Sequence, residues 1–334
     1  MSSLSAESIW TLNPQELVNF LDCKVFAQKN SEIHFYAPSF KYCKNNFFNS
    51  QLETFPSISI TGTNCALNCK HCAGRLLNTM HHTFTPNDLF ELCYKLKQDG
   101  AMGCLISGGC LPNGSVPIKP FIPTIAQIKH QLDFTVFVHT GLINLETAVL
   151  LKQSEATDAV LIDIIGSKET INNIYQLNAT VQDYAKSLEA LQMTHLNFIP
   201  HITVGLNKGH LDGEYNALQM ISQTTPAAVV IIAFTPIPKT EMAKTLPPQP
   251  IDIARVIATA RAMLPKTPII LGCMRPKNVQ HTITDILALK AGANAIAFPN
   301  KTAVEYAKTQ GWTTTFSPYC CAKIFTDINY NKKQ

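Results

Sequence analysis

The chain is predicted to fold as an α/β protein, a (β/α)8 or nearly closed barrel, and three observations in the sequence lead there. From residue 57 onward, short apolar runs alternate with amphipathic helical stretches, which calls for parallel strands covered by helices. The apolar runs number eight, at 57–61, 103–107, 134–139, 159–164, 196–203, 228–234, 268–272 and 295–298. A chain of 334 residues, 46% hydrophobic and 15% charged, can fill one such barrel or two ordinary domains.

The helices between these runs carry their own start and stop signals. Thr85-Pro86-Asn87-Asp88 supplies an N-cap, a proline at the first helical position and a carboxylate in the first turn. Leu89, Leu92, Cys93 and Leu96 then line one face before Asp99-Gly100 ends the helix, so Cys93 reads as core. Further helices are expected at about 124–131, 145–153, 181–191, 213–223, 252–264, 282–291 and 302–310. Residues 1–56 read as an N-terminal cap, 57–312 as the barrel and 313–334 as a tail, with both extensions covering the barrel mouth. The proline-rich stretch 247–250 leads into a helix and marks no domain boundary.

Composition narrows the function classes. The net charge of +4 is spread without a basic run, which argues against nucleic acid as the main partner. No stretch approaches the roughly 18 uninterrupted apolar residues of a membrane span. Eleven cysteines, with no charged and apolar leader at the N-terminus, suggest a reduced, cytoplasmic setting in which thiols are metal ligands or core residues.

In a barrel the chemistry belongs at the C-terminal ends of the strands. Just after the first apolar run stand Cys65, Cys69 and Cys72, three thiols within eight residues. Four cysteines would close a zinc site or saturate a cubane cluster, whereas three leave one iron of a 4Fe-4S cluster open to a reagent. A zinc knuckle is the competing reading, with His71, His81 or His82 as the fourth ligand. The second run ends in Ser107-Gly108-Gly109-Cys110, whose glycines let backbone approach a ligand or simply form a tight turn. Asp163, in an apolar strand, needs a partner because a buried unpaired charge is costly; it binds a ligand or caps its own loop. His139 and His201 also fall at strand ends, as ligand contacts or as satisfied core histidines.

The C-x3-C-x2-C loop, with His71 before its third cysteine, resembles the signature of radical S-adenosylmethionine enzymes, which have TIM-type barrels. The resemblance implies that the amino and carboxylate groups of S-adenosylmethionine chelate the open iron and that cluster reduction yields a 5′-deoxyadenosyl radical. It implies that Ser107, Gly108 and Gly109 bind the methionine amine, although Cys110 stands where the family's Gly-Gly-Glu motif has glutamate. Asp163 would meet the ribose or the ammonium, and Ile202 and Gly205, in Pro200-His201-Ile202-Thr203-Val204-Gly205-Leu206, the adenine. The segment from Ile270 through Arg275 to Asn294 looks like the C-terminal part of biotin synthase, where an arginine helps ligate a second cluster.

The positions matching biotin synthase's auxiliary cysteines hold Phe137 and Ile199, with only Cys104 near the third. The candidate auxiliary ligands here are instead Cys43, Cys110, Cys273, Arg275, Cys320 and Cys321. The run 160–171, taken with Ser107-Gly108-Gly109-Cys110 and this C-terminal part, resembles the biotin-synthase-related proteins that include archaeal-type, two-protein lipoyl synthases. The implied reaction is sulfur insertion into an octanoyl chain on a lipoyl carrier domain, shared with a sister radical protein and fed by an electron donor such as ferredoxin or flavodoxin. A radical maturase or methylase acting on a small cofactor precursor is the alternative enzyme, and a non-catalytic zinc or iron-sulfur protein the alternative outside enzymes.

Overall fold

The structure is a computed structural model that describes residues 4–23, 26, 32–38, 54–277 and 280–331. Among the described residues, eleven strands form one sheet: β1 (Glu32–Tyr36), β2 (Ser57–Ser59), β3 (His81–His82), β4 (Gly103–Ser107), β5 (Thr135–His139), β6 (Ala159–Asp163), β7 (Phe198–Val204), β8 (Val229–Ala233), β9 (Ile269–Leu271), β10 (Ala295–Ala297) and β11 (Thr313–Ser317). Every pairing is parallel, in the order β11-β1-β10-β9-β8-β7-β6-β5-β4-β2-β3. The sheet curls into a half-barrel whose edges, among the described residues, are β11 and β3. The eight expected strands are β2 and β4 to β10, each within a few residues of its expected bounds.

The strands read as continuous apolar runs because both of their faces are covered. Side chains alternate with period two between a helix-facing layer and the lumen. In β5, Val136 and Val138 pack in the larger outer core while Phe137 joins the lumen; in β6, Val160 and Ile162 face outward and Ala159 and Leu161 inward. Ile199, Val230, Ile270 and Ala297 complete the lumen wall. The helix Pro86–Gln98 has its capping box at Thr85 and Asp88, and it buries Leu89, Cys93 and Leu96. Each such leucine contributes about 2 kcal/mol of burial.

Part of the segment expected to cap the barrel belongs to the sheet itself. Glu32–Tyr36 lies inside the sheet, between β10 and β11. The helix Ala6–Thr11 is tied down by Arg255, which donates to the carbonyls of Trp10 at 2.7 Å and Leu12 at 2.6 Å. The tail also enters: Cys321, Ala322 and Ile324 are buried among the lumen side chains, and Tyr36 Oη donates to Asp327 at 2.7 Å. Among the described residues no helix is long and apolar enough to cross a membrane.

Candidate functional site: a thiol cluster at the strand ends

The loop carrying the cysteine triplet leaves β2 under tight control. Ser59 Oγ donates to the Gly62 carbonyl at 2.6 Å and Thr61 Oγ1 to the Asn64 carbonyl at 2.9 Å. Gly62 turns the chain with φ +59°, a conformation glycine adopts at little cost. Residues 69–73 then form a helical turn, in which the N–H groups of Cys72 and Ala73 donate to the Cys69 carbonyl. That turn brings the ligand atoms of Cys69, His71 and Cys72 within 4.8 Å of one another.

The loop after β4 closes against this one. The Gly109 N–H donates to Thr61 Oγ1 at 2.7 Å, the Cys110 N–H to Cys65 Sγ at 3.3 Å, and the Ala66 N–H to the Cys110 carbonyl at 2.8 Å. A Cβ on Gly109 would collide with the Asn64 carbonyl and stand 2.7 Å from Cys65 Cα. Glycine is therefore required here for backbone contact with the triplet loop. Cys65, Cys69, Cys72 and Cys110 pair as hydrogen-bonded thiols. Hydrogen bonding from Cys110 lowers Cys65 to about 6, and hydrogen bonding from Cys69 lowers Cys72 to about 4, while the two donors are pushed far up. Metal ligation requires thiolates, and this site favours them at two positions.

Tyr175 was not legible from the sequence as part of the site. Its carbonyl accepts from Cys69 Sγ at 3.4 Å, and its ring lies 5.1 Å from that of His71. A pattern reading had no handle on it, because the segment that presents it, Ile171–Tyr175, is a π-helical turn far from the triplet in sequence. Thr61, which anchors both loops, carried no motif signal beyond its closeness to Cys65.

Ser107, His139, Asp163 and His201 share the lumen parity of their strands and form a polar rim. Ser107 Oγ donates to the His139 carbonyl at 3.2 Å, His139 Nε2 lies 3.7 Å from Asp163, and the rings of His139 and His201 are 5.8 Å apart. Burial pushes the Asp163 carboxyl up, but His139, His201 and His71 outweigh it and hold it below the usual range. Burial lowers His201 to about 4, so its ring is neutral near pH 7. Ile202 points its side chain outward into the helix-facing core, on a strand paired on both sides by β6 and β8. Gly205, at φ +70°, packs against Pro248 and donates its N–H to the buried Glu214 carboxylate at 2.8 Å.

The candidate auxiliary ligands divide by place. Cys110 sits with the triplet. Cys273, Cys320 and Cys321 gather in the lumen, where the last two thiols hydrogen-bond each other and burial raises Cys273. Arg275 is already occupied: Nε donates to Asp285 at 2.9 Å, Nη1 to the carbonyls of Gly272 and Ala297 at 2.7 Å, and Nη2 to that of Phe298 at 3.2 Å. Cys104 faces the helices and hydrogen-bonds Cys93, out of the lumen. Cys43 lies outside the described residues.

The donor types suit a 4Fe-4S cluster: three thiols on one loop, with the ligand atoms of Cys69, His71 and Cys72 within 4.8 Å of one another and Cys65 hydrogen-bonded to Cys110. Comparison with known proteins agrees. Residues 231–321 match the Biotin and Thiamin Synthesis associated domain. A biotin synthase of Ruthia magnifica subsp. Calyptogena magnifica is 24% identical over 294 residues, spanning 86% of this chain and 87% of its own. One of Zymomonas mobilis is 39% identical over 75 residues, 22% of each chain. The chain is thus similar to biotin synthases over most of its length. Its fold is shared with methylornithine synthase (PylB), at TM-score 0.59 and 14% identity over 93% of both chains. HydG, a maturase of the [FeFe]-hydrogenase, superposes at TM-score 0.61 and 14% identity over 95% of this chain and 72% of its own.

Proposed function

We propose that this chain inserts sulfur into a saturated C–H bond of an octanoyl chain carried by a lipoyl domain. The observation that supports the reading is the gathering of Cys273, Cys320 and Cys321 in the lumen. Cys65, Cys69 and Cys72 would hold the cluster, which when bound would supply one-electron reduction of S-adenosylmethionine. The protein's own task is to hold the pieces. Ser107 and the Gly108-Gly109 backbone offer polar groups to the methionine end, Asp163 offers an ionised acceptor to an ammonium or a ribose, and the backbone at Ile202 and Gly205 borders the adenine.

A carbon radical must then meet sulfur held close by, and an auxiliary iron-sulfur cluster on Cys273, Cys320 and Cys321 would provide it. Arg275, bound to Asp285 and three carbonyls, is proposed to set the loop carrying Cys273 rather than to ligate. An electron donor such as ferredoxin or flavodoxin, an octanoylated carrier and a sister radical protein are the partners of this reading.

The test is anaerobic reconstitution with iron and sulfide, followed by incubation with S-adenosylmethionine, reductant and an octanoylated carrier peptide. The expected result is a sulfur-bearing peptide, with iron content that falls when Cys320→Ala and Cys321→Ala are combined. A single cluster unaffected by that pair of changes would remove the sulfur donor. A second reading, a maturase or methylase acting on a small precursor, draws on Phe137 and Ile199, which make the lumen apolar where a biotin-synthase-like site would have thiols. 5′-Deoxyadenosine formation without sulfur transfer would favour it.

A further inference from the structure

Cys110 is the one thiol of the strand-end cluster outside the C-x3-C-x2-C loop. Its backbone N–H donates to Cys65 Sγ at 3.3 Å, its carbonyl accepts the Ala66 N–H at 2.8 Å, and its thiol hydrogen-bonds that of Cys65. These contacts fix its Cα against the triplet loop from the end of the neighbouring parallel strand. Gly109 makes the approach possible, since any side chain there would strike Asn64 and Cys65. Cys110 is thus paired with Cys65 at the edge of the triplet, and three thiols suffice for the cluster. The fourth stands where the resemblance expects a glutamate that meets the methionine amine.

We propose that Cys110 is a reversible fourth ligand, closing the open iron in the resting protein and leaving when S-adenosylmethionine binds. In the exchange the Fe–S bond to Cys110 would break, its thiolate would take up the proton that the α-ammonium gives up, and the amino nitrogen and carboxylate oxygen would take its place on iron. No electron moves. A resting cluster with four protein thiolates resists loss of its labile iron and is spared from air or adventitious chelators until the substrate nucleoside arrives. The cost is apparent affinity: if the closed form outweighs the open one about ten to one, S-adenosylmethionine binds about tenfold more weakly than to an always-open site.

The inference rests on the radical S-adenosylmethionine reading, and the experiment separates the two. Wild-type protein, Cys110→Ala and Cys110→Ser are reconstituted anaerobically, and metal content is measured. The samples are then exposed to limited oxygen and read by electron paramagnetic resonance for the 3Fe-4S signal, while S-adenosylmethionine is titrated against the reduced cluster. The expected result is a 3Fe-4S signal several-fold larger in both variants, which S-adenosylmethionine suppresses, and half-saturation at about tenfold lower concentration in Cys110→Ala. Equal signals and equal half-saturation in all three proteins overturn the proposal and leave the open-iron reading intact. A colourless wild-type protein with one zinc on four cysteines overturns both.

Discussion

Replacing Arg275 with methionine separates a structural arginine from a metal ligand. The side chains of Arg275 and Asp285 are both 0% exposed and lie 2.8 Å apart. Removing the cation strands a buried carboxylate, which costs about 3–5 kcal/mol, and also deprives the carbonyls of Gly272, Ala297 and Phe298 of a donor. Against the roughly 5–15 kcal/mol that holds a domain together, that is a large loss. Urea denaturation of the reconstituted protein should show the midpoint falling while the slope stays constant. Arg275→Met combined with Asp285→Asn should recover part of the deficit, because the stranded charge is gone.

The pH dependence has a definite sign. The Asp285 carboxyl is pushed up by burial, but Arg275 and His281 outweigh that and hold it low. A depressed folded value gives stability that is present above the unfolded value of about 3.9 and is lost as pH falls through the folded one. The double variant should lose that acid limb. Unchanged stability in Arg275→Met, together with loss of iron, would refute the structural role and restore the arginine as a ligand.

Gly109→Ala forces a Cβ to 2.7 Å from Cys65 Cα, so it should cost about 1–3 kcal/mol by overpacking and lower bound iron, measured by denaturation and metal assay. Cys65→Ala, Cys69→Ala and Cys72→Ala should each abolish the 4Fe-4S absorbance, whereas Cys93→Ala, changing a core thiol, should keep it. Burial raises Glu214 to about 7 from 4.5. A raised acid contributes stability fully present below its unfolded value and lost as pH rises through about 7, so wild-type stability should decline between pH 4.5 and 7, and Glu214→Gln should flatten that limb in pH-resolved denaturation.

Much of the barrel could be read in advance because its strands are buried on both faces, so β2 and β4 to β10 appear as apolar runs bounded by helix caps. β1 escaped because Glu32 and His34 break its apolar pattern; its place depends on pairing with β10 and β11, whose partners lie some 260 to 280 residues away. β11, Thr-Thr-Thr-Phe-Ser, is half-exposed and carries no apolar run. In the site, the triplet announced itself through local spacing. The gathering of Cys110 with Cys65, and of Cys273 with Cys320 and Cys321, required strand order and the alternation of lumen and outer faces. The occupied state of Arg275 depended on Asp285, whose burial a pattern of types cannot display.

Cys65, Cys69 and Cys72 are proposed to hold a 4Fe-4S cluster with one iron available to S-adenosylmethionine. The most direct measurement is the electron paramagnetic resonance spectrum of the dithionite-reduced, reconstituted protein before and after adding S-adenosylmethionine. The account predicts a reduced-cluster signal that changes on addition, disappears in Cys69→Ala, and is accompanied by 5′-deoxyadenosine. A signal indifferent to S-adenosylmethionine, or protein that holds zinc in place of iron and sulfide, would contradict it.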